Sequence, residues 1–333
     1  MHLAFAYADH IGSGLGLPRP TGHLSQSAVA LFFVVSGYIM VFSSGRLFAT
    51  RDGSRIFWIR RCVRILPPYW LATLLLMAIM VYLGRPVDGE WLATSLALLP
   101  TATDAFQGRP DFLLWPGWTL FYEMAFYFLF GLGLRWGRLP AIVLASGAIV
   151  ALVLAGSFID GGNAFLISLT RPVLLIFLFG MALAAFRGRG LSLPAPSRFL
   201  VFALAVIAYF ALPRTPADMA LDAGYTLWAG LPAVLLAIAV LGGPLDVPRA
   251  LLVNTLGDAS YALYLLHVPL GMGAISFFPL RLGAWPFLLV TIVGVYAASL
   301  IAFVYVERPV TRWLNARLLH RSKRDAMLQE TGV

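Results

Sequence analysis

The feature that most constrains this chain is a series of long apolar segments separated by short polar stretches. A helix needs about 20 apolar residues to cross the roughly 30 Å hydrocarbon core of a bilayer. Segments near that length span residues 24–43, 66–83, 113–135, 139–158, 166–186, 198–212, 224–242, 256–278 and 283–306. With 60% hydrophobic and 12% charged residues, the chain carries more apolar surface than a water-soluble core could bury. The pattern therefore predicts an all-α fold, a polytopic transmembrane helix bundle.

Residues 1–10 are similar to the second half of one further helix. From Met1 to His10 a helix rises only about 14 Å, which is half of a membrane crossing. We therefore expect about ten helices, the first of them truncated at its N-terminus, and a true start site upstream of Met1.

Basic residues fall unevenly between the two sides that this topology defines. If the stretch 55–70 is cytoplasmic, eighteen of the 24 Lys and Arg side chains lie on the cytoplasmic side. Short loops rich in Lys and Arg stay in the cytoplasm, so we predict a multi-pass protein of the bacterial inner (cytoplasmic) membrane with both termini inside. Residues 311–333 are predicted to form a basic cytoplasmic tail. The positive charge of these loops indicates contacts with membrane lipids, and no nucleic acid partner is expected.

A block of four arginines stands directly before Pro67-Pro68, at positions 55, 60, 61 and 64. Because proline is tolerated in the first turn of a helix, we predict a helix that begins near Pro67, preceded by a basic loop. A guanidinium group matches phosphate oxygens in a bidentate fork. We therefore predict that Arg60, Arg61 and Arg64 bind a phosphorylated ligand. The alternative is that they fix membrane topology alone.

The longest predicted outer loop, residues 84–115, carries several acidic residues and prolines. A connection of that length commonly has a role of its own, so we expect it to cover part of the bundle.

Three polar side chains in the apolar segments are candidate functional residues, because polar groups are costly within a membrane. Glu123 is the only acidic residue deep within an apolar segment, and His10 lies in the same outer half of the membrane. A histidine positioned by a carboxylate is a general-base arrangement, so His10 and Glu123 are the predicted catalytic pair. The alternatives are an interfacial histidine without a catalytic role and a carboxyl that bonds a neighbouring helix, for example through a tyrosine hydroxyl.

The third group, His267, lies close to the membrane midplane just before Pro269. We predict that it contacts the substrate together with Trp118 and Tyr122, and a role as the base is the alternative.

Several motifs are missing. The sequence contains no HExxH, no phosphate-binding loop that ends in Lys-Ser/Thr and no G-x-S-x-G nucleophile elbow. No metal site and no permanently bound cofactor are therefore predicted. The pair Ser36-Gly37 in an apolar run is more typical of close helix packing than of a nucleophile.

Six separated motifs together resemble the acyltransferase-3 family of integral-membrane acyltransferases. They are AFAYADH (4–10), SAVALFFVVSGYIM (27–40), RRCVRILPPYW (60–70), WTLFYEMAFY (118–127), GDASYALYLLHVP (257–269) and VERP (306–309). The resemblance implies an acyltransferase domain over residues 1–310, a cytoplasmic acyl-CoA donor and a glycan or lipid-linked acceptor. It also implies that His10 is catalytic and that Arg60, Arg61 and Arg64 contact the CoA phosphates.

The chain departs from the family pattern in two places. The family's first helix usually carries an arginine about eleven residues before the histidine, and this sequence begins after that point. The family's Gly-Val-Asp before FFVISG is also absent here.

These observations predict O-acyl transfer, with acetyl as the family's default acyl group. His10 would act as the general base on the acceptor hydroxyl, and Glu123 would orient the imidazole or balance its charge; a covalent acyl-histidine step is the alternative to direct transfer. The alternative function is a small proton-coupled transporter or lipid-linked glycan exporter, in which Glu123 and His267 form a proton relay.

Overall fold

The computed structural model describes residues 23–102, 110–159, 163–213, 221–244, 251–277 and 284–330, which are almost entirely helical. The helices are α1 His23–Ser43, α2 Gly53–Tyr82, α3 Gly89–Leu96, α4 Gly117–Gly133, α5 Arg138–Gly156, α6 Ala164–Leu169, α7 Leu175–Gly188, α8 Ala195–Ala211, α9 Ala223–Tyr225, α10 Leu231–Leu241, α11 Leu251–Phe277, α12 Ala284–Ala302 and α13 Arg308–Glu330. Two-residue strands, β1 Thr101–Ala102 and β2 Pro110–Asp111, pair antiparallel.

The predicted all-α transmembrane bundle is confirmed. Seven helical stretches within the described ranges are long and apolar enough to cross a membrane. The other two predicted segments correspond to the 17-residue helices α4 and α8. The prediction of a first helix that contains His10 falls on residues outside the described ranges.

The prediction that a helix begins near Pro67 after a basic loop is wrong. Helix α2 begins at Gly53 and continues through Pro67 and Pro68. A proline inside a helix removes a backbone hydrogen bond and usually bends or ends the helix. Here tertiary contacts support the same turn, because the Tyr261 hydroxyl on α11 donates to the Ile65 carbonyl at 2.9 Å. The arginines therefore lie on a helix with fixed relative positions.

Close packing of α1 against α7 forms the centre of the bundle. A Cβ atom on Gly37 would lie 2.2 Å from the Phe177 carbonyl oxygen, and one on Gly180 would lie 1.9 Å from the Val34 carbonyl oxygen. Only glycine allows the two backbones to approach this closely. The predicted packing role of Gly37 is confirmed.

The two ends of the bundle differ in their charge. We call the end where α1 finishes and α2 begins the arginine end, because Arg51, Arg55 and Arg60 are exposed there. The opposite end, where α1 begins and α2 finishes, is called the far end. Helix α4 runs from the far end to the arginine end, since the Trp58 indole on α2 donates to the Tyr127 carbonyl at 3.2 Å.

The segment between α2 and α4 folds back onto the far end. The buried Ser95 at the end of α3 holds it in two ways: its hydroxyl accepts from the Leu113 N–H at 2.8 Å, and its carbonyl accepts from the Tyr69 hydroxyl at 2.9 Å. The Trp70 indole donates to the Leu96 carbonyl at 2.8 Å. The described part of this segment is thus packed against the bundle, as expected for a covering loop.

Helices α12 and α13 are joined by a π-helical turn, Phe303–Glu307, and α13 packs against α2. The domain boundary predicted at residue 310 lies inside α13.

Candidate active site

A cavity of about 590 Å³ lies between α1, α2, α4 and α11. Its wall includes Arg61 and Arg64 toward the arginine end, Glu123 farther in, and Gln26 and Trp115 toward the far end. The volume is typical of a pocket for a small molecule or part of a larger one. Sequence positions from Ser25 to His267 are therefore brought to one cavity.

Glu123 lies in the wall of this cavity and is only 6% exposed. Its Oε1 atom accepts a hydrogen bond from the Tyr127 hydroxyl, one turn further along α4. The same atom accepts from the Ser36 hydroxyl on α1 at 3.4 Å. A buried carboxyl group needs such partners, because leaving it without hydrogen bonds in an apolar interior is costly. The structural alternative named above, a bond from Glu123 to a neighbouring helix, is present through the Ser36 hydroxyl on α1, whereas the tyrosine that bonds Glu123 lies on its own helix.

Arg61 is fixed beside this acid. Its guanidinium lies 5.3 Å from the ring centroid of Tyr127 and 5.5 Å from that of Phe57. It also donates to the Ser43 hydroxyl at 3.1 Å. Cation–π contacts with two nearly perpendicular rings restrict the position of the guanidinium. Arg61 is thus a positioned charge between the arginine end and Glu123.

The other two predicted arginines lie in different places. Arg64, three residues after Arg61 and on the same face of α2, is exposed and lines the cavity. Arg60 is exposed at the arginine end and does not belong to the cavity wall. Because these arginines lie on a helix, Arg61 and Arg64 share the face that lines the cavity and Arg60 lies outside it.

The two aromatic residues predicted to contact substrate also separate. Trp118 lines the cavity. Tyr122 is fully buried among the rings of Phe33, Trp118 and Phe121 and is not part of the cavity wall.

Helix α11 contributes Tyr261, Tyr264 and His267 to the cavity. The Nδ1 atom of His267 lies 2.7 Å from the Tyr264 carbonyl oxygen. A carbonyl oxygen only accepts, so Nδ1 carries the proton and Nε2 is the nitrogen that accepts in neutral His267. The Tyr264 hydroxyl lies 2.5 Å from the Thr119 hydroxyl, which joins α11 to α4.

Sequence reasoning missed several residues of this site, among them Ser36, Tyr127, Tyr261 and Tyr264. The three-residue spacing of Tyr261, Tyr264 and His267 places them on one helix face and was a usable signal. The spacing of Glu123 and Tyr127 was another. No local signal identified Ser36, because its contact joins residues 87 positions apart.

The predicted base, His10, lies outside the described residues, and its role stays a prediction. Within the described ranges, no group of three or more His, Cys, Asp or Glu side chains could hold a metal ion.

The arrangement is that of a membrane-embedded cavity with fixed cations toward one end and a buried acid in its wall. Comparison with known families assigns its class: residues 1–304 match the family described as "Acyltransferase domain", in its acyltransferase-3 branch. The chain belongs to this family and is a multi-pass membrane acyltransferase.

Two relatives are similar over different lengths. The exopolysaccharide production protein ExoZ of Rhizobium meliloti (strain 1021) is 32% identical over 312 residues, which cover 89% of this chain and 94% of the relative. Protein 2 in the picA locus of Rhizobium radiobacter is 30% identical over 156 residues, or 40% of this chain and 80% of that protein. No solved structure matches the chain. The family assignment favours an acyltransferase over the alternative of a transporter.

Proposed function

We propose that this protein transfers an acyl group, by default acetyl, from acyl-CoA to a hydroxyl group of a glycan or lipid-linked glycan. The observation that carries the proposal is the shared cavity, in which Arg61, Arg64 and Glu123 lie in one wall surface. A relative of similar length is named for exopolysaccharide production, which supports a glycan as the acceptor. The donor would enter from the arginine end. We place this end at the cytoplasmic face of a bacterial inner membrane, because short basic segments remain in the cytoplasm.

The cavity offers specific binding groups for the donor. CoA carries several phosphate groups, and guanidinium groups bind phosphate in a bidentate way. Arg64 is exposed and lines the cavity, so it is the residue that we assign to the CoA phosphates. Arg60, which is exposed nearby, would add to the positive field that attracts the donor.

The chemistry requires the removal of one proton. The acceptor oxygen attacks the thioester carbonyl, a C–O bond forms, and the C–S bond breaks. The hydroxyl proton passes to a base, for which we propose His10, and the protonated base then gives it to the departing sulfur, so that CoA leaves as the thiol. Glu123 would orient the imidazole and balance the charge that it gains, which is the usual role of a carboxylate beside a catalytic histidine.

The proposal is tested with inner-membrane vesicles that contain the protein, supplied with radiolabelled acetyl-CoA and polysaccharide. Wild-type vesicles should release CoA and label the polysaccharide. His10→Ala should abolish both, and Arg64→Ala should raise the donor KM about tenfold with a small effect on kcat. Arg51→Ala is the matched control, because Arg51 is exposed at the same end and outside the cavity wall.

The same vesicles distinguish acyl transfer from transport. Labelled polysaccharide without a membrane gradient supports transfer. Movement of an unmodified glycan that requires a gradient, with no release of CoA, would contradict the proposal.

A further inference from the structure

We propose that Gln26 binds a hydroxyl group of the acceptor at the far end of the cavity, and that the acceptor extends over at least two sugar units. This inference rests on the proposed function, because it assumes that a glycan hydroxyl is acylated near Glu123.

Gln26 is an unusual residue for its position. It is 5% exposed in an apolar helix bundle and lines the cavity. Its main-chain carbonyl accepts a hydrogen bond from the Tyr225 hydroxyl at 3.0 Å, which fixes this turn of α1. Its side-chain Oε1 atom has no hydrogen-bond partner in the part of the chain that the structure describes. A buried amide oxygen without a donor is costly, so the geometry points to a donor supplied by a ligand in the cavity.

The position of Gln26 indicates which part of the ligand this is. Gln26 precedes Ser36 by ten residues, which corresponds to about 15 Å along α1. Ser36 contacts the Glu123 carboxylate, so Gln26 lies well away from the proposed reaction centre and toward the far end. It therefore binds a remote part of the acceptor, whereas the donor is assigned to the arginine end.

Aromatic residues line the path between these two points. Trp118 precedes Glu123 by five residues on α4, Trp115 lies just before that helix, and both line the cavity. The flat C–H faces of a sugar ring pack on aromatic rings, while its hydroxyl groups point outward and can donate. A sugar chain fits a wall of this kind, with aromatic rings along its length and an accepting oxygen at its end.

The Oε1 atom of Gln26 also restricts the kind of ligand group that can bind there. An amide oxygen accepts and does not donate, so Oε1 calls for a donor such as a hydroxyl group. One sugar ring near Glu123 is too short to cover about 15 Å, so the hydroxyl that reaches Gln26 belongs to a second unit.

The test uses two acceptor probes with the same alkyl chain, octyl glucoside and octyl maltoside, each below its micelle concentration. Transfer from radiolabelled acetyl-CoA is measured with wild-type protein, Gln26→Leu, and Gln26→Met, which keeps an unbranched chain. The matched control is Ser27→Ala, because the Ser27 hydroxyl is likewise buried without a partner among the described residues but is not part of the cavity wall.

Wild-type protein should have a lower KM for the maltoside than for the glucoside. Both Gln26 variants should raise the maltoside KM about tenfold and leave the glucoside KM and the acetyl-CoA KM unchanged. Ser27→Ala should behave as wild type. Thermal melting of each variant in detergent shows that the compared proteins are folded.

Other results would overturn the inference. They are an unchanged maltoside KM in a folded Gln26 variant, an equal rise for both acceptors, and wild-type protein that consumes acetyl-CoA in its own membranes but acylates neither glycoside. Failure of the wild type to consume acetyl-CoA under any condition would instead count against the proposed function.

Discussion

The Tyr127 hydroxyl donates a hydrogen bond to the Glu123 carboxylate, one turn away on the same helix. The ring of that tyrosine also lies 5.3 Å from the guanidinium of Arg61. Tyr127 therefore contacts the acid through its hydroxyl and the cation through its ring. The Tyr127 hydroxyl also interacts with the Arg61 side chain, so removing this hydroxyl tests its contacts with both groups while the ring stays in place.

Tyr127→Phe keeps the ring and removes the hydroxyl. We expect kcat for acyl transfer to fall about tenfold, because Glu123 loses the donor that fixes its orientation, while the donor KM stays near its wild-type value. Glu123→Gln should cost more, about a hundredfold in kcat, if the negative charge takes part in the proton transfer. Steady-state kinetics in membrane vesicles measures both.

The control for this pair is Tyr82→Phe, because Tyr82 is 77% exposed near the end of α2. Wild-type kcat in Tyr127→Phe would show that the contact does not orient the acid for catalysis.

Arg61 and Arg64 share one face of α2 but have different surroundings, so their variants should differ. Arg61→Lys keeps the charge and loses the guanidinium that contacts the rings of Phe57 and Tyr127. We expect a several-fold loss of kcat with little change in the donor KM, because the group acts by positioning. Arg64→Lys should affect mainly the donor KM, because it loses bidentate phosphate binding. The opposite pattern, with a raised donor KM for Arg61→Lys alone, would assign the phosphates to Arg61.

The positions of the membrane helices could be predicted from the sequence, because about 20 apolar residues have few alternatives to a membrane helix. The place of Glu123 in a functional cavity could also be predicted, because an acidic side chain within a membrane segment is costly and is therefore uncommon without a function. Its catalytic role stays a prediction. Both inferences depend on the properties of single segments. They required no knowledge of which helices are neighbours.

The start of α2 could not be predicted from the local sequence around Pro67. The local rule places proline at a helix start, but α2 begins fourteen residues earlier, at Gly53, and the Tyr261 hydroxyl from a distant helix supports the turn. The same limit applies to Ser36 and Gln26, whose roles depend on contacts with other helices. Tertiary contacts of this kind leave no periodic signal in the sequence.

The attachment of the segment between α2 and α4 at the far end depends on Ser95. Ser95→Ala leaves the buried Leu113 N–H without its acceptor, and we expect a loss of about 1–3 kcal/mol in stability for that reason. Thermal melting in detergent and limited proteolysis between residues 97 and 112 would measure it. The control is Thr94→Val, because the Thr94 hydroxyl bonds only carbonyls of its own helix turn, those of Glu90 and Trp91. Equal protease resistance of Ser95→Ala and wild type would contradict a role in holding the segment.

The contact between α1 and α7 gives a prediction about stability alone. Gly180→Ala would place a Cβ atom 1.9 Å from the Val34 carbonyl oxygen and 2.7 Å from the Tyr38 backbone nitrogen. Because these are backbone atoms of a packed helix, the two helices must separate, and we expect a loss of about 1–3 kcal/mol or more. The matched control is Gly147→Ala in α5, where a new Cβ would meet nothing within 4 Å and alanine favours the helix. Thermal melting in detergent should show a clearly lower midpoint for Gly180→Ala and an equal or higher one for Gly147→Ala. A wild-type midpoint for Gly180→Ala would mean that α1 and α7 do not pack as closely as described.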